Sequence, residues 1–206
     1  MNMSLTFRVV SVCTACLCLD GCSLLQSSKG VTPHSFVLTP IHAGAPVARG
    51  QSANMVVGLK EVRMPDYLSE KAFAVRKGTN EIVYLESSEW AERLGAGLQR
   101  VLAADIGTLL PTDQVRLSMW GAEAVTVEVE VNVERFDVDS HGQGMLMAWW
   151  RVLSPGGEKV LASGRFSATR QGPPPNKDPR GAAALMSALA AELAENLVRA
   201  IKRPEA

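Results

Sequence analysis

Val125-Thr126-Val127-Glu128-Val129-Glu130-Val131-Asn132-Val133 is the stretch on which the fold of this chain turns. Its odd positions are all valine and its even positions all polar. A strand sends successive side chains to opposite faces, so this pattern gives one apolar and one wet face. Such a strand belongs in a sheet covered on one side, most easily an antiparallel one. Glu128, Glu130 and Glu134 form a row that could pass for an acid or metal site. A solvated sheet face is the simpler reading of it.

Moving toward the C-terminus, Met145 to Leu153 is apolar almost throughout, which predicts a central strand covered on both sides. Trp149 and Trp150 should then point to opposite faces, one of them into the core. Ser154-Pro155-Gly156-Gly157 turns the chain, and Val160 to Thr169 returns as the partner strand. The Pro-rich segment from Gln171 to Arg180 reads as a stiff link. From Gly181 to Lys202, leucines 185, 189, 193 and 197 with Ile201 recur at helical spacing.

Moving the other way, Glu89 to Leu110 reads as a helix capped by Ser87 or Ser88 and ended by Pro111. Gly95, Gly97 and Gly107 within it predict a close approach to a sheet. Lys71 to Arg76 and Glu81 to Leu85 form a hairpin, Met55 to Val62 another strand, and Phe36 to Leu38 a short first one. Ala43 to Ser52 is a loop. These elements predict a two-layer α/β sandwich, with a mainly antiparallel mixed sheet and two amphipathic helices on one face.

The chain has 206 residues, with 21 Lys and Arg against 21 Asp and Glu, so it carries no net charge. A neutral chain without a basic stripe argues against nucleic acid as a partner. No H-E-x-x-H, G-x-S-x-G or S-x-x-K occurs, and the three histidines lack partners at metal-ligand spacing. The expectation is therefore no catalytic residue, no metal and no cofactor.

All four cysteines (13, 16, 18 and 22) lie near the N-terminus. Arg8 precedes an apolar run of signal-peptide length, too short for a membrane span, which ends at Leu19-Asp20-Gly21-Cys22. A large aliphatic residue three places before a cysteine, with Gly adjacent, has the layout of a lipobox. Asp20 departs from it, since a small uncharged residue is usual there. Residues 1–21 are read as a lipoprotein signal peptide, 22–34 as a lipid-anchored tether and 35–203 as one domain. Cys22 would carry a diacylglyceryl group and an acylated amine, holding the protein firmly at a membrane. Ser23 after it favours the outer membrane, on the periplasmic side.

Val62-Arg63-Met64-Pro65-Asp66-Tyr67-Leu68, then Val75-Arg76, Glu89-Trp90-Ala91-Glu92 and Arg100-Val101-Leu102, resemble the PqiC/YmbA family. These are auxiliary lipoproteins of ABC-type transport systems with MCE-domain partners. The resemblance covers essentially the whole chain after the leader, with a longer Pro-rich link before the last helix as a departure. It implies a non-enzymatic, outer-membrane-anchored subunit of an intermembrane lipid transport system that supports envelope integrity. Its partners would be the membrane, through Cys22, and an MCE-domain protein; a homo-oligomer is compatible with it. Tyr67, Leu68 and Arg76 match the family motif and, with Trp150, are the expected partner surface. The alternative is a free-standing periplasmic lipid-binding lipoprotein.

Overall fold

A computed structural model describes residues 32–41, 55–110, 112, 114–117, 121 and 124–203. The leader, Cys22, the tether up to residue 31, the loop at 43–52 and Pro111 lie outside the described residues. The elements are β1 (His34–Phe36), β2 (Val57–Leu59), β3 (Ala72–Arg76), β4 (Ile82–Trp90), α1 (Leu94–Leu109), β5 (Val115–Leu117), β6 (Val127–Asp139), β7 (Gln143–Leu153), β8 (Val160–Gln171) and α2 (Pro179–Lys202).

The valine-alternating stretch becomes β6, the spine of an eight-stranded mixed sheet. One edge of β6 pairs antiparallel with β7, and β7 pairs antiparallel with β8. Two strands share the other edge. β2 lies parallel to positions 127–129 and β3 parallel to positions 138–139. Outside β2 lies β5, and outside β3 come β4 and then β1. The long antiparallel ladders of β6, β7 and β8 carry most of the pairing, as the sequence pattern requires.

Val127, Val129, Val131 and Val133 all enter the core, and so do Phe136 and Val138. Val133 and Phe136 are three apart, which breaks a strict period of two. A register shift between Val133 and Arg135 supplies the extra residue, so this is a β-bulge. Beyond it, Asp137 falls on the same side as Glu134 and Arg135.

Both helices cover the valine face, and each contacts the other. Leu94, Leu98, Val101, Leu102 and Ile106 form the buried face of α1. Gln99 also sits on that face, and its amide donates to the carbonyls of Leu59 (3.1 Å) and Lys60 (3.0 Å) where β2 ends. Each such bond contributes about 0.5–1.5 kcal/mol and ties the helix to the end of that strand. Gly95 lets the helix start press on the chain before it: a methyl group there would lie 2.9 Å from Met64 Cγ. Asp178 caps α2 by accepting from the Gly181 N–H at 2.9 Å, and Pro179 occupies the first turn. By length and composition α2 could cross a bilayer, which the sequence reading did not anticipate. Yet 61% of its most apolar stretch is buried inside the domain, as in a core helix.

Four expectations need correction. The first helix begins at Leu94 rather than Glu89, because Ser88, Glu89 and Trp90 extend β4 and pair with His34–Phe36 of β1. Trp90 stacks on Phe73, with centroids 4.9 Å apart, so it anchors the core from a strand. The first strand is shifted to His34–Phe36, and β5 was not anticipated. Finally, β7 is interior to the sheet but covered on one face only, since Trp149 is 48% exposed.

Candidate functional site

The uncovered face of β6, β7 and β8 is the most organised polar surface of the described residues. Glu128, Glu130 and Glu134 project from β6 as the alternation demands, and each meets cations from flanking elements. Lys60, just after β2, reaches Glu128 at 3.0 Å and Glu130 at 2.9 Å. Arg151, opposite Glu130 on β7, takes the second oxygen of that carboxylate. Burial by itself would raise the Glu130 pKa, but hydrogen bonds from Lys60 and Arg151 outweigh it and the net shift is downward. The same bonds, from Glu130 first and Glu128 next, raise Lys60. Glu128 also accepts the Gly156 N–H at 3.0 Å, tying the β7–β8 turn to the row.

Trp149 is held in place at the middle of this face. Its indole N–H donates to Glu134 at 2.7 Å. Arg165, its cross-strand neighbour on β8, donates to the other Glu134 oxygen at 2.8 Å. The Arg165 guanidinium lies 5.2 Å from the Trp149 ring centroid, in cation–π range. Hydrogen bonds from Trp149, then Arg165, keep the Glu134 carboxyl below its usual range. The result is a large aromatic fixed in one orientation yet half open to solvent. Beside it runs a groove of about 1340 Å³, bordered by Lys60, Arg63, Met64, Glu130, Asn132 and Trp149.

A second cluster lies beyond the bulge. The Asp137 side chain is completely buried, and four donor atoms converge on it. Arg76 gives Nε at 3.1 Å and Nη2 at 2.8 Å, and Tyr67 gives its hydroxyl at 2.9 Å, all to Oδ2. Arg135 Nε reaches Oδ1 at 2.8 Å. Desolvation, reinforced by the Asp137 charge, pushes the Tyr67 pKa up to about 12. Asp137 likewise raises Arg76. This cluster clamps the tight turn at Asp66–Leu68, in the chain between β2 and β3, whose Leu68 enters the core.

The expected partner residues therefore occupy different places. Tyr67 and Arg76 come together on Asp137, and Leu68 is 2% exposed within the core. Trp150 faces the helices, half-buried, with its ring against Gly164. The tryptophan open to solvent is Trp149. Asp137 escaped the sequence reading because a carboxylate in an exposed-looking strand position normally means solvent; the nearby Arg135 was the available hint. Among the described residues no group of three or more His, Cys, Asp and Glu is placed to hold a metal. The carboxylates face cations, an arrangement suited to holding a surface rigid.

The model of the ABC-type transport auxiliary lipoprotein component family matches residues 36–198. No curated protein matches the chain. Among the solved structures that share the fold are two of similar extent. One, of an uncharacterized protein, has 16% identity, covers 82% of this chain and 99% of its own, and superposes with a TM-score of 0.63. The other, protein XCC0632 from Xanthomonas campestris, has 16% identity, covers 82% of this chain and 91% of its own, and gives a TM-score of 0.62. The chain belongs to the PqiC/YmbA-type family of ABC-type transport auxiliary lipoprotein components.

Proposed function

We propose that the protein is a non-enzymatic auxiliary subunit of an intermembrane lipid transport system, tethered through lipid on Cys22 to the periplasmic face of the outer membrane. The observation that carries this reading is the family match, which spans nearly the whole folded domain. An auxiliary component needs a stable surface to offer its partner, and the uncovered sheet face supplies one. Trp149 is the anchor on it: tryptophan is enriched in interface hot spots, and this one is already held in a single orientation. Tyr67, Arg76 and Leu68 act on that surface through the turn they clamp, and Trp150 supports the strand that bears Trp149. The partner is an MCE-domain protein.

Two measurements test the assignment. Mass spectrometry of the native protein should find a chain beginning at a diacylated, N-acylated Cys22, recovered with outer membranes. Affinity purification after in-cell crosslinking should recover an MCE-domain transport subunit. An unmodified thiol with an intact leader removes the anchor from the account. Absence of any transport subunit removes the auxiliary role.

A further inference from the structure

The sheet ends at three strands, and they are unlike. β1 and β5 have three residues each, whereas β8 has twelve and pairs only with β7 among the described residues. Its outer edge is a long row of backbone groups that meets no other backbone among the described residues. Natural sheets close such edges with proline, lysine, a bulge or a charge set in the path of an incoming strand. β8 contains no proline and no lysine. The irregularity in its pairing lies between Val152 and Leu153, so residues 162–171 run regularly. Its two arginines are tied back, Arg165 to Glu134 at 2.8 Å and Arg170 to Glu192 of α2. The edge is left open.

One bond at the end of the strand tells which groups point outward. The Gly172 N–H donates to the carbonyl of Gly142, its neighbour across the ladder, at 2.8 Å. Residues along a strand turn their N–H and C=O to alternate sides. Gly164, Phe166, Ala168 and Arg170 therefore turn theirs toward β7, in register with that bond. Ser163, Arg165, Ser167 and Thr169 turn theirs away from the sheet.

We infer that β8 docks on β8 of a second copy of this chain, antiparallel across a two-fold axis at Ser167. Among the described strands a second copy offers no other sheet end of matching length, so a closed pair is what satisfies both long edges. With the axis at Ser167, Arg165 faces the partner's Thr169 and Ser163 faces the partner's Gln171. Phe166 lies opposite the partner's Ala168, and Arg170 opposite the partner's Gly164. No like charges meet and no two bulky side chains collide. An axis at Arg165 or Arg170 would set two guanidinium groups face to face. Ser167 is also the middle of residues 163–171, so this register pairs the most outward groups. The inference stands apart from the anchor and the transport reading, because it uses the fold alone.

The test is cysteine crosslinking of the full-length protein in amphipol with a short bis-maleimide, the parent serving as baseline for the native cysteines. Ser167→Cys should crosslink to itself. Ser163→Cys and Gln171→Cys should each stay uncrosslinked alone and join when the two are co-expressed, which fixes the register. Thr169→Pro removes an outward N–H and none of the bonds to β7, so thermal unfolding should stay near that of the parent. The crosslink between positions 163 and 171 should then fall about tenfold, since two bonds across the axis are lost. Ser167 is exposed, and Ser167→Glu sets two carboxylates opposite each other. It should lower the same crosslink about fivefold, and about 1 M salt should restore part of it. Absence of crosslinks, self-crosslinking at 163 or 171, or crosslinks that survive both variants overturn the proposal. So does capture of another protein alone.

Discussion

The two faces of β6 are built from the same run of residues and do opposite work. On one, Val127 to Val133 and then Phe136 and Val138 lie beneath both helices and meet side chains of α1 and α2. On the other, Glu130 and Glu134 stay partly open while Glu128 is buried, and the three are matched by Lys60, Arg151 and Arg165. Apolar burial supplies roughly 25 cal/mol per Å², whereas an exposed ion pair contributes about 0–1 kcal/mol. The valine face therefore accounts for stability. The partly open pairs of Glu130 and Glu134 contribute little to it and are better understood as fixing the surface around Trp149, whereas Asp137 farther along that face is buried.

The contrast can be broken at its strongest point first. Phe136→Ala empties a fully buried site under the helices and should cost about 4 kcal/mol in urea unfolding. Asp137→Ala, one residue along and on the opposite face, leaves two arginines and a tyrosine around an empty site. It should cost about 3 kcal/mol, since one partner of a buried pair is removed. If Asp137→Ala were neutral, the clamp on the Asp66–Leu68 turn would not be structural.

Alkaline pH sharpens the same point. The pKa of Tyr67 is raised from 10.0 to about 12 in the folded protein, so its contribution is complete below pH 10 and is lost as pH rises toward about 12. Stability followed by circular dichroism should fall across that window more steeply in the parent than in Tyr67→Phe. The smallest effect belongs to Glu130, which is partly open to solvent. Glu130→Gln should change stability by less than about 1 kcal/mol, and 1 M salt should shrink the difference further. The Glu130 carboxyl is held low, so what it contributes is present near neutral pH and disappears as pH falls through its lowered pKa.

Much of this architecture was legible because periodicity reports burial directly. The valine alternation announced a strand with one covered face, and the leucine spacing in residues 185–201 announced α2. What stayed hidden depended on neighbours distant in sequence. Ser88 to Trp90 look like a helix start, but pairing with β1 on one side and β3 on the other draws them into β4. The apolar run of β7 implied cover on both sides. In fact Met145 and Met147 remain half-buried and Trp149 lies open, held by Glu134 and Arg165 from adjacent strands. The pattern showed that Trp149 and Trp150 must diverge, but not which would face the helices. Asp137 was least legible, because its partners come from β3 and the preceding turn.

Site-specific photocrosslinking in living cells bears most directly on the open face. A crosslinking residue would replace Ser167, exposed on β8 opposite Met147 on the Trp149 side, and in a parallel strain Ala184, exposed on α2. Capture of an MCE-domain subunit from position 167 and not from 184 is the predicted result. Capture from 184 alone, or of no transport subunit from either position, would contradict the account.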